Sequence, residues 1–367
     1  MVAEKRAPRA EVERAGAAPR VLDTLPGLGV VLLIAIAATA IGWVAPVLGG
    51  PVSAVVIGVL LAATLGKRTT LRPGIRFASG TVLQLAVVVL GSQLSLSQVA
   101  HVGLSSLPIM LVTLSVCLLL AALLGYRMGI APKLRTLIGV GTGICGASAI
   151  AAVTPVVEAA SLEVGYAIST IFLFNIAAVL LFPLVGHLLG MSQHAFGLFA
   201  GTAVNDTSSV VAAATSYGNQ ATNYAVVVKL TRSLMIIPIC LGLAGWAARR
   251  ERRAEGTRAA QSTGSDAPAG DGGGSRVRIG KLVPWFLVGF VLVAAINSLG
   301  LIPQAAHGAL TGTASFLITI ALAGIGLSID IRGLRRTGPR PLLLGALLWI
   351  AVSTTSLGMQ WLLGVHG

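Results

Sequence analysis

The chain has 367 residues, of which 55% are apolar and only 10% charged, with a mean hydropathy of +0.89. A soluble domain carries about a quarter charged residues, so a cytosolic enzyme, a DNA-binding protein and a disulfide-stapled secreted domain are all excluded. The net charge of +14 does not indicate nucleic acid, because all but two of the 26 Lys and Arg fall in five clusters, at 5–20, 67–76, 127–135, 249–281 and 332–340.

The sequence specifies an all-α polytopic membrane protein. A bilayer-crossing helix needs about 20 apolar residues, and runs free of Asp, Glu, Lys and Arg extend from Asp23 to Lys67, Arg76 to Arg127 and Lys281 to Asp330. In chain order the predicted spans are 26–45, 52–66, 80–96, 104–125, 134–158, 164–189, 194–216, 223–247, 281–300, 309–329 and 341–363. With the amino terminus inside, these eleven crossings put all five basic clusters on the cytoplasmic face, as the positive-inside rule requires. The carboxyl terminus is then outside, and Glu158 and Glu163 fall in an outer loop. Segments 52–66 and 80–96 are short for full crossings. Residues 1–24 read as a disordered cytoplasmic tail, 25–248 as the first part of the membrane domain, 249–280 as a flexible cytoplasmic linker and 281–367 as the last three spans. A cleaved signal peptide does not suit Leu28–Ala40, because that apolar run passes straight into another span. Leu90–Leu96 (LGSQLSL) and Ala323–Ile329 (AGIGLSI) resemble each other, a trace of the kind that inverted repeats leave.

Two segments read as interrupted helices, which persist in a membrane only where they line a cavity or are buried in protein. The first is Gly139–Ala149, with Gly139, Gly141, Gly143 and Gly146 in mid-span; close helix packing is the competing explanation. The second is Gly201–Ser209, where Asn205-Asp206-Thr207-Ser208-Ser209 is more polar than packing requires. Asp206, Lys229 and Arg232 are the charges that no loop claims, and a charge at the bilayer centre costs at least about 2.5 kcal/mol. Lys229 and Arg232 are three apart and share a helix face. Asp206 can neutralise one of them, and Lys229 can snorkel to the outer surface, but Arg232 is too deep to do so easily. A net-positive pocket beside helix starts suits a small oxyanion, with Thr142, Ser148, Thr207 and Ser208 supplying hydrogen bonds, Gly143 and Gly146 supplying backbone, and Asp206 carrying a coupling proton. Asn175 reads as interhelical glue. The histidines, at 101, 187, 194, 307 and 366, sit near span ends, which is poor placement for a metal site. No cofactor is indicated.

Gly143-Ile144-Cys145-Gly146-Ala147-Ser148-Ala149-Ile150, Gly201-Thr202-Ala203-Val204-Asn205-Asp206-Thr207 and Val228-Lys229-Leu230-Thr231-Arg232, in that order, resemble the YeiH-like sulfate exporter family. Gly91 with Leu94, Phe174-Asn175 and Phe182-Pro183 fit the same pattern, so the likeness covers roughly 28–363. The family often has His before Asp206, and Asn205 stands there in this chain, so a proton-relay role for that neighbour does not carry over. The resemblance implies an inner-membrane protein with two inverted repeats, broken helices crossing near the midplane, and alternating access, with a homodimer common among such architectures.

The leading expectation is a secondary transporter of a small anion, a sulfur oxyanion or organosulfonate, with proton or sodium coupling. A cation/proton antiporter of the same architecture requires Asp206 to face the ion and both cations to be structural counter-charges. An anion channel is a further alternative. An enzyme using Cys145 is disfavoured, since its apolar setting suits packing better than nucleophilic attack. Absence of a GxxxxGK[ST] loop argues against ATP-driven transport by this chain.

Overall fold

The computed structural model describes residues 21–44, 49–62, 64–65, 68–240, 242–243, 285–328 and 338–365, and among these no strand occurs. Most of the predicted tail and all of the predicted linker lie outside the described residues. Apolar runs of membrane length become helices because the bilayer offers the backbone no other partner. Seven described helices are long and apolar enough to cross a membrane. Their outward faces carry leucines such as Leu119, which is 70% exposed, as a lipid-facing surface does.

The first bundle consists of α1 (Val21–Val44), α2 (Gly49–Ala62), α3 (Arg72–Phe77), α4 (Leu83–Leu90), α12 (Trp285–Ser298) and α13 (Gln304–Leu327). α3 and α4 are one span joined through a π turn at Ala78–Val82. Close approach between α2 and α13 depends on glycine: a Cβ on Gly326 would lie 2.9 Å from the Gly58 Cα. The α3–α4 span and α13 run antiparallel, because Ile75 lies beside Gly324 while Gln93 donates to the His307 carbonyl. Leu90, which opens the first look-alike segment, and Ala323–Leu327 of the second thus lie at the ends of two antiparallel, packed helices. We call this bundle the scaffold.

The second bundle holds α5 (Leu96–Arg127), α6 (Pro132–Gly143), α7 (Ala147–Val157), α8 (Ser161–Leu188), α9 (Gln193–Ala203), α10 (Thr207–Tyr217), α11 (Asn219–Leu234) and α14 (Pro339–Leu362). Leu137, Ile138, Ile150, Ile171 and Leu344 fill one part of its core, and Phe182, Phe196 and Phe199 another.

Two of the predicted spans are not crossings. At 134–158, α6 and α7 fold back on each other: Lys133 Nζ, at the start of α6, donates to the carbonyl of Glu158, just past the end of α7, at 2.7 Å. The same register pairs Gly141 with Ile150 across the hairpin. A straight continuation of these helices would separate Lys133 and Glu158 by more than 30 Å at about 1.5 Å per residue. At 194–216, α9 and α10 do the same. Gln193 Oε1, at the base of α9, accepts from the backbone N–H of Gln220 at 3.0 Å, and Phe196 stacks on Tyr217 with ring centroids 3.9 Å apart. Each arm has 11 or 12 residues, about 16–18 Å, which reaches the middle of a hydrocarbon core of about 30 Å.

Because α8, with 28 residues, crosses between the hairpins, they open on opposite faces of the membrane. This corrects the placement of Glu158 and Glu163, which lie on the same face as Lys133 and Arg135. The remaining alternation survives, since two hairpins in place of two spans leave the parity of every later helix unchanged.

The hairpin geometry is tested by labelling single-cysteine variants with a membrane-impermeant maleimide. Lys133→Cys and Glu158→Cys should react from one and the same face. Labelling from opposite faces would restore a single crossing.

Candidate functional site

The tips of the two hairpins meet at mid-depth. In the first tip Gly146 has φ +66°, a conformation that favours glycine, and a Cβ there would lie 3.0 Å from Asp206 Cβ of the second tip. Helix α6 therefore ends, and α7 begins, beside the point where α9 ends and α10 begins. Each tip presents a row of carbonyls from the arm that arrives and a row of N–H groups from the arm that leaves.

The carbonyl ends are held by α11. Lys229 Nζ donates to the carbonyls of Ile144 at 2.8 Å, Val204 at 2.9 Å and Asn205 at 2.5 Å. Arg232 donates from Nε to Gly143 O at 2.7 Å, from one Nη to Thr142 O at 3.2 Å and from the other to Thr202 O. Both side chains are fully buried. Their partners are carbonyls of both tips, and neither cation reaches the surface, so Lys229 does not snorkel. All three N–H groups of Lys229 are committed. A cation at a helix C-terminus also opposes the negative end of the helix dipole, and here each cation serves two helix ends at once. Asn175 of α8 joins this frame, with its Oδ1 accepting from the Asn205 backbone N–H at 3.2 Å.

The N–H ends are different. Helix α10 is capped by Asp206, whose carboxylate accepts from Ser209 N at 3.4 Å and from the Ser208 hydroxyl. Helix α7 has Gly146 at its cap position and no side-chain cap. Ser148, in its first turn, is exposed, and Asp206, Thr207 and Ser208 are half-buried. Two further polar atoms of the tips, Thr142 Oγ1 and Asn205 Oδ1, are buried with no hydrogen-bond partner among the described residues.

All ten candidate residues thus converge on one place but divide into two groups. Lys229, Arg232, Gly143 and the carbonyls of Thr142 and Asn205 form an internal frame. Ser148, Asp206, Thr207 and Ser208 form the accessible part, with the buried Gly146 as the turn that brings them together. Sequence reasoning missed the support from α14, where the hydroxyls of Ser356 and Thr202 lie 2.6 Å apart. The signal for it was the mid-helix run Ser353-Thr354-Thr355-Ser356.

Residues 26–345 match the family described as Conserved hypothetical protein 698, which bears out the family resemblance. Among similar curated proteins, a UPF0324 membrane protein of Streptococcus pyogenes serotype M18 is 41% identical over 348 residues, covering 94% of this chain and 98% of that protein. A UPF0324 membrane protein of Streptococcus mutans is 42% identical, covering 93% and 98%. One from Fusobacterium nucleatum is 39% identical, covering 94% and 99%.

The frame role has a direct test. Lys229→Met leaves three buried carbonyls without a donor, each costing about 1–3 kcal/mol. Its Tm in buffer free of added anions should therefore fall by a margin equivalent to about 3 kcal/mol or more. Arg232→Lys, which keeps the charge but cannot span three carbonyls, should fall by less. An unchanged ligand-free Tm in Lys229→Met would show that the cation serves a ligand and not the frame.

Proposed function

This chain belongs to the Conserved hypothetical protein 698 family of membrane proteins, and on that footing we propose that it is a secondary active transporter of a small anion. Sulfate, sulfite or an organosulfonate is the substrate class, moved by alternating access. The observation that carries the reading is the start of α7 at mid-membrane, where the cap position is Gly146 with no side-chain cap and Ser148 of the first turn is exposed, beside a cationic frame. Backbone N–H groups at a helix start bind oxyanions. Ser148 adds a hydroxyl donor and Thr207 another from the facing tip, while the Ser208 hydroxyl, which donates to the ionised Asp206 carboxylate, turns to the substrate once Asp206 is protonated. With each helix end taken as about half a charge, the tips keep about one net positive charge while Asp206 is ionised. Lys229 and Arg232 contribute that charge through the frame and do not touch the substrate.

Asp206 gives the coupling. Its carboxylate caps α10 where a bound anion would sit, so the ionised form repels the substrate. Protonation removes that repulsion, and a proton then travels with the anion. The two hairpins open on opposite faces and belong to a bundle that meets the scaffold along a shared apolar core, and movement of one body along the other there is what alternating access requires. Placing the basic clusters in the cytoplasm puts the amino terminus and the opening of the first hairpin inside, and the carboxyl terminus outside, in the cell membrane. No bond-making step is assigned; Cys145 is a buried packing residue in the first tip.

One observation favours a second reading. Both cations are tied to carbonyls, which is the condition that a cation/proton antiporter working through Asp206 imposes. Thermal-shift binding on purified protein separates the two. Sulfate, sulfite, taurine, isethionate, acetate and chloride are screened with and without sodium at two pH values. One oxyanion should stabilise the wild type, more strongly at the lower pH, because proton uptake by Asp206 accompanies binding. Ser148→Ala should weaken binding about tenfold or more, the value of one hydrogen bond to a charged group. Asp206→Asn should retain binding and lose the pH dependence. A sodium or pH effect that requires Asp206, with no effect of any anion, selects the antiporter. Arg232→Ala is unsuited to this assay, because it disrupts the frame whether or not a ligand is present.

A further inference from the structure

Between the scaffold and the hairpin bundle, on the face where the second hairpin opens, lie two adjoining cavities of about 280 and 160 Å³. Thr215 of α10 and Ser315 of α13 line both, so the two chambers form one cleft. Thr319 borders the larger chamber; Gln93, Asn219 and Asn223 border the smaller. Neither chamber is lined by a charged side chain.

The polar groups are arranged and not scattered. Ser315 and Thr319 are four apart on α13 and so share one face. Thr215 stands seven residues beyond Ser208 on α10, two turns or about 10 Å along the same helix face. Helix α10 packs against α2 and α13 of the scaffold. Between Ser208 and Thr215, the buried Val211 and Ala212 join the apolar core shared with the scaffold, so this stretch separates the cleft from the second tip in the state described and has to part for a solute to pass. Gln93 donates to Ser92 Oγ at 3.1 Å and to the His307 carbonyl at 3.4 Å, fixing the lip of the cleft to the start of α13. Among the described residues, the Ser315 hydroxyl and the side-chain amides of Asn219 and Asn223 make no hydrogen bond within the protein. Polar side chains turned into a gap of an otherwise apolar membrane bundle mark a path for water or solute.

We propose that this cleft is the passage through which a small oxyanion reaches the hairpin tips from the second-hairpin face, its hydration partly replaced by neutral hydroxyl and amide groups. The inference rests on the tip site described above. Neutral donors suit a passage, because they solvate an anion without the charge that would hold it there.

The test uses Ser208→Cys as a reporter at the tip and the impermeant anionic reagent methanethiosulfonate ethylsulfonate, applied to spheroplasts and to inverted vesicles. The unsubstituted protein, whose three cysteines are buried, gives the background. Ser208→Cys should react from the second-hairpin face. Adding Ser315→Trp, which fills the cleft, should slow that reaction at least tenfold. Adding Thr313→Trp, on the exposed side of α13, should change it less than twofold. Equal rates in the two Trp backgrounds overturn the passage and leave the tip site standing. A reporter that reacts from neither face removes the tip site and the passage with it. Ser315→Cys, close to serine in size, is the second variant. It should itself react from the second-hairpin face, and its failure to do so overturns the passage even where the Trp variant does not fold.

Discussion

Two helices that stop halfway across a membrane leave carbonyls with no partner, and no water is at hand to supply one. In this protein a single helix face meets that constraint. Lys229 and Arg232, less than one turn apart on α11, take carbonyls from both hairpins. Both tips must therefore reach the same depth and the same side of α11. That convergence brings Gly146 against Asp206 and places the two helix starts side by side. The cost of burying two cations is offset by six carbonyl acceptors and by the negative ends of two helix dipoles.

The polarity of the helices then separates two tasks. Arms that arrive at the tips end in carbonyls, and these belong to the frame. Arms that leave begin in N–H groups, and these face accessible space at Ser148, Thr207 and Ser208. One start is capped by the Asp206 carboxylate, and the other has Gly146 at its cap position and no side-chain cap. The scaffold has a different character. Its helices close on glycine contacts such as Gly58 with Gly326, so their backbones meet directly.

Much of this was legible in the sequence. Composition fixes the membrane setting, the glycine run and the Asn-Asp-Thr-Ser-Ser cluster locate the two tips, and the unclaimed charges locate the frame. The re-entrant fold was not legible, for a physical reason. Residues 132–157 have the length and apolar character of one crossing, and a helix–turn–helix with half-membrane arms has the same composition as a straight span. Charge placement could not reveal it either, since two hairpins reverse the topology twice. The partners of Lys229 and Arg232 were hidden because backbone carbonyls carry no sequence signature. Asp206 was the visible candidate for their counter-charge, but it caps a helix instead. The cleft was silent for a related reason: Thr215 and Thr319 bond back to the preceding turn of their own helices, as such residues commonly do.

The distance along the chain between the frame and what it holds has a consequence for biogenesis. Arg232 lies 90 residues after Thr142, and Lys229 lies 85 after Ile144. While the chain is made from its amino end, the first hairpin enters the membrane long before the donors for its carbonyls exist. The facing tip is made next, but until α11 follows it neither hairpin has the cations that cap its carbonyls. Its insertion is completed by a later segment, and the order of synthesis makes α11 the keystone that locks both hairpins together.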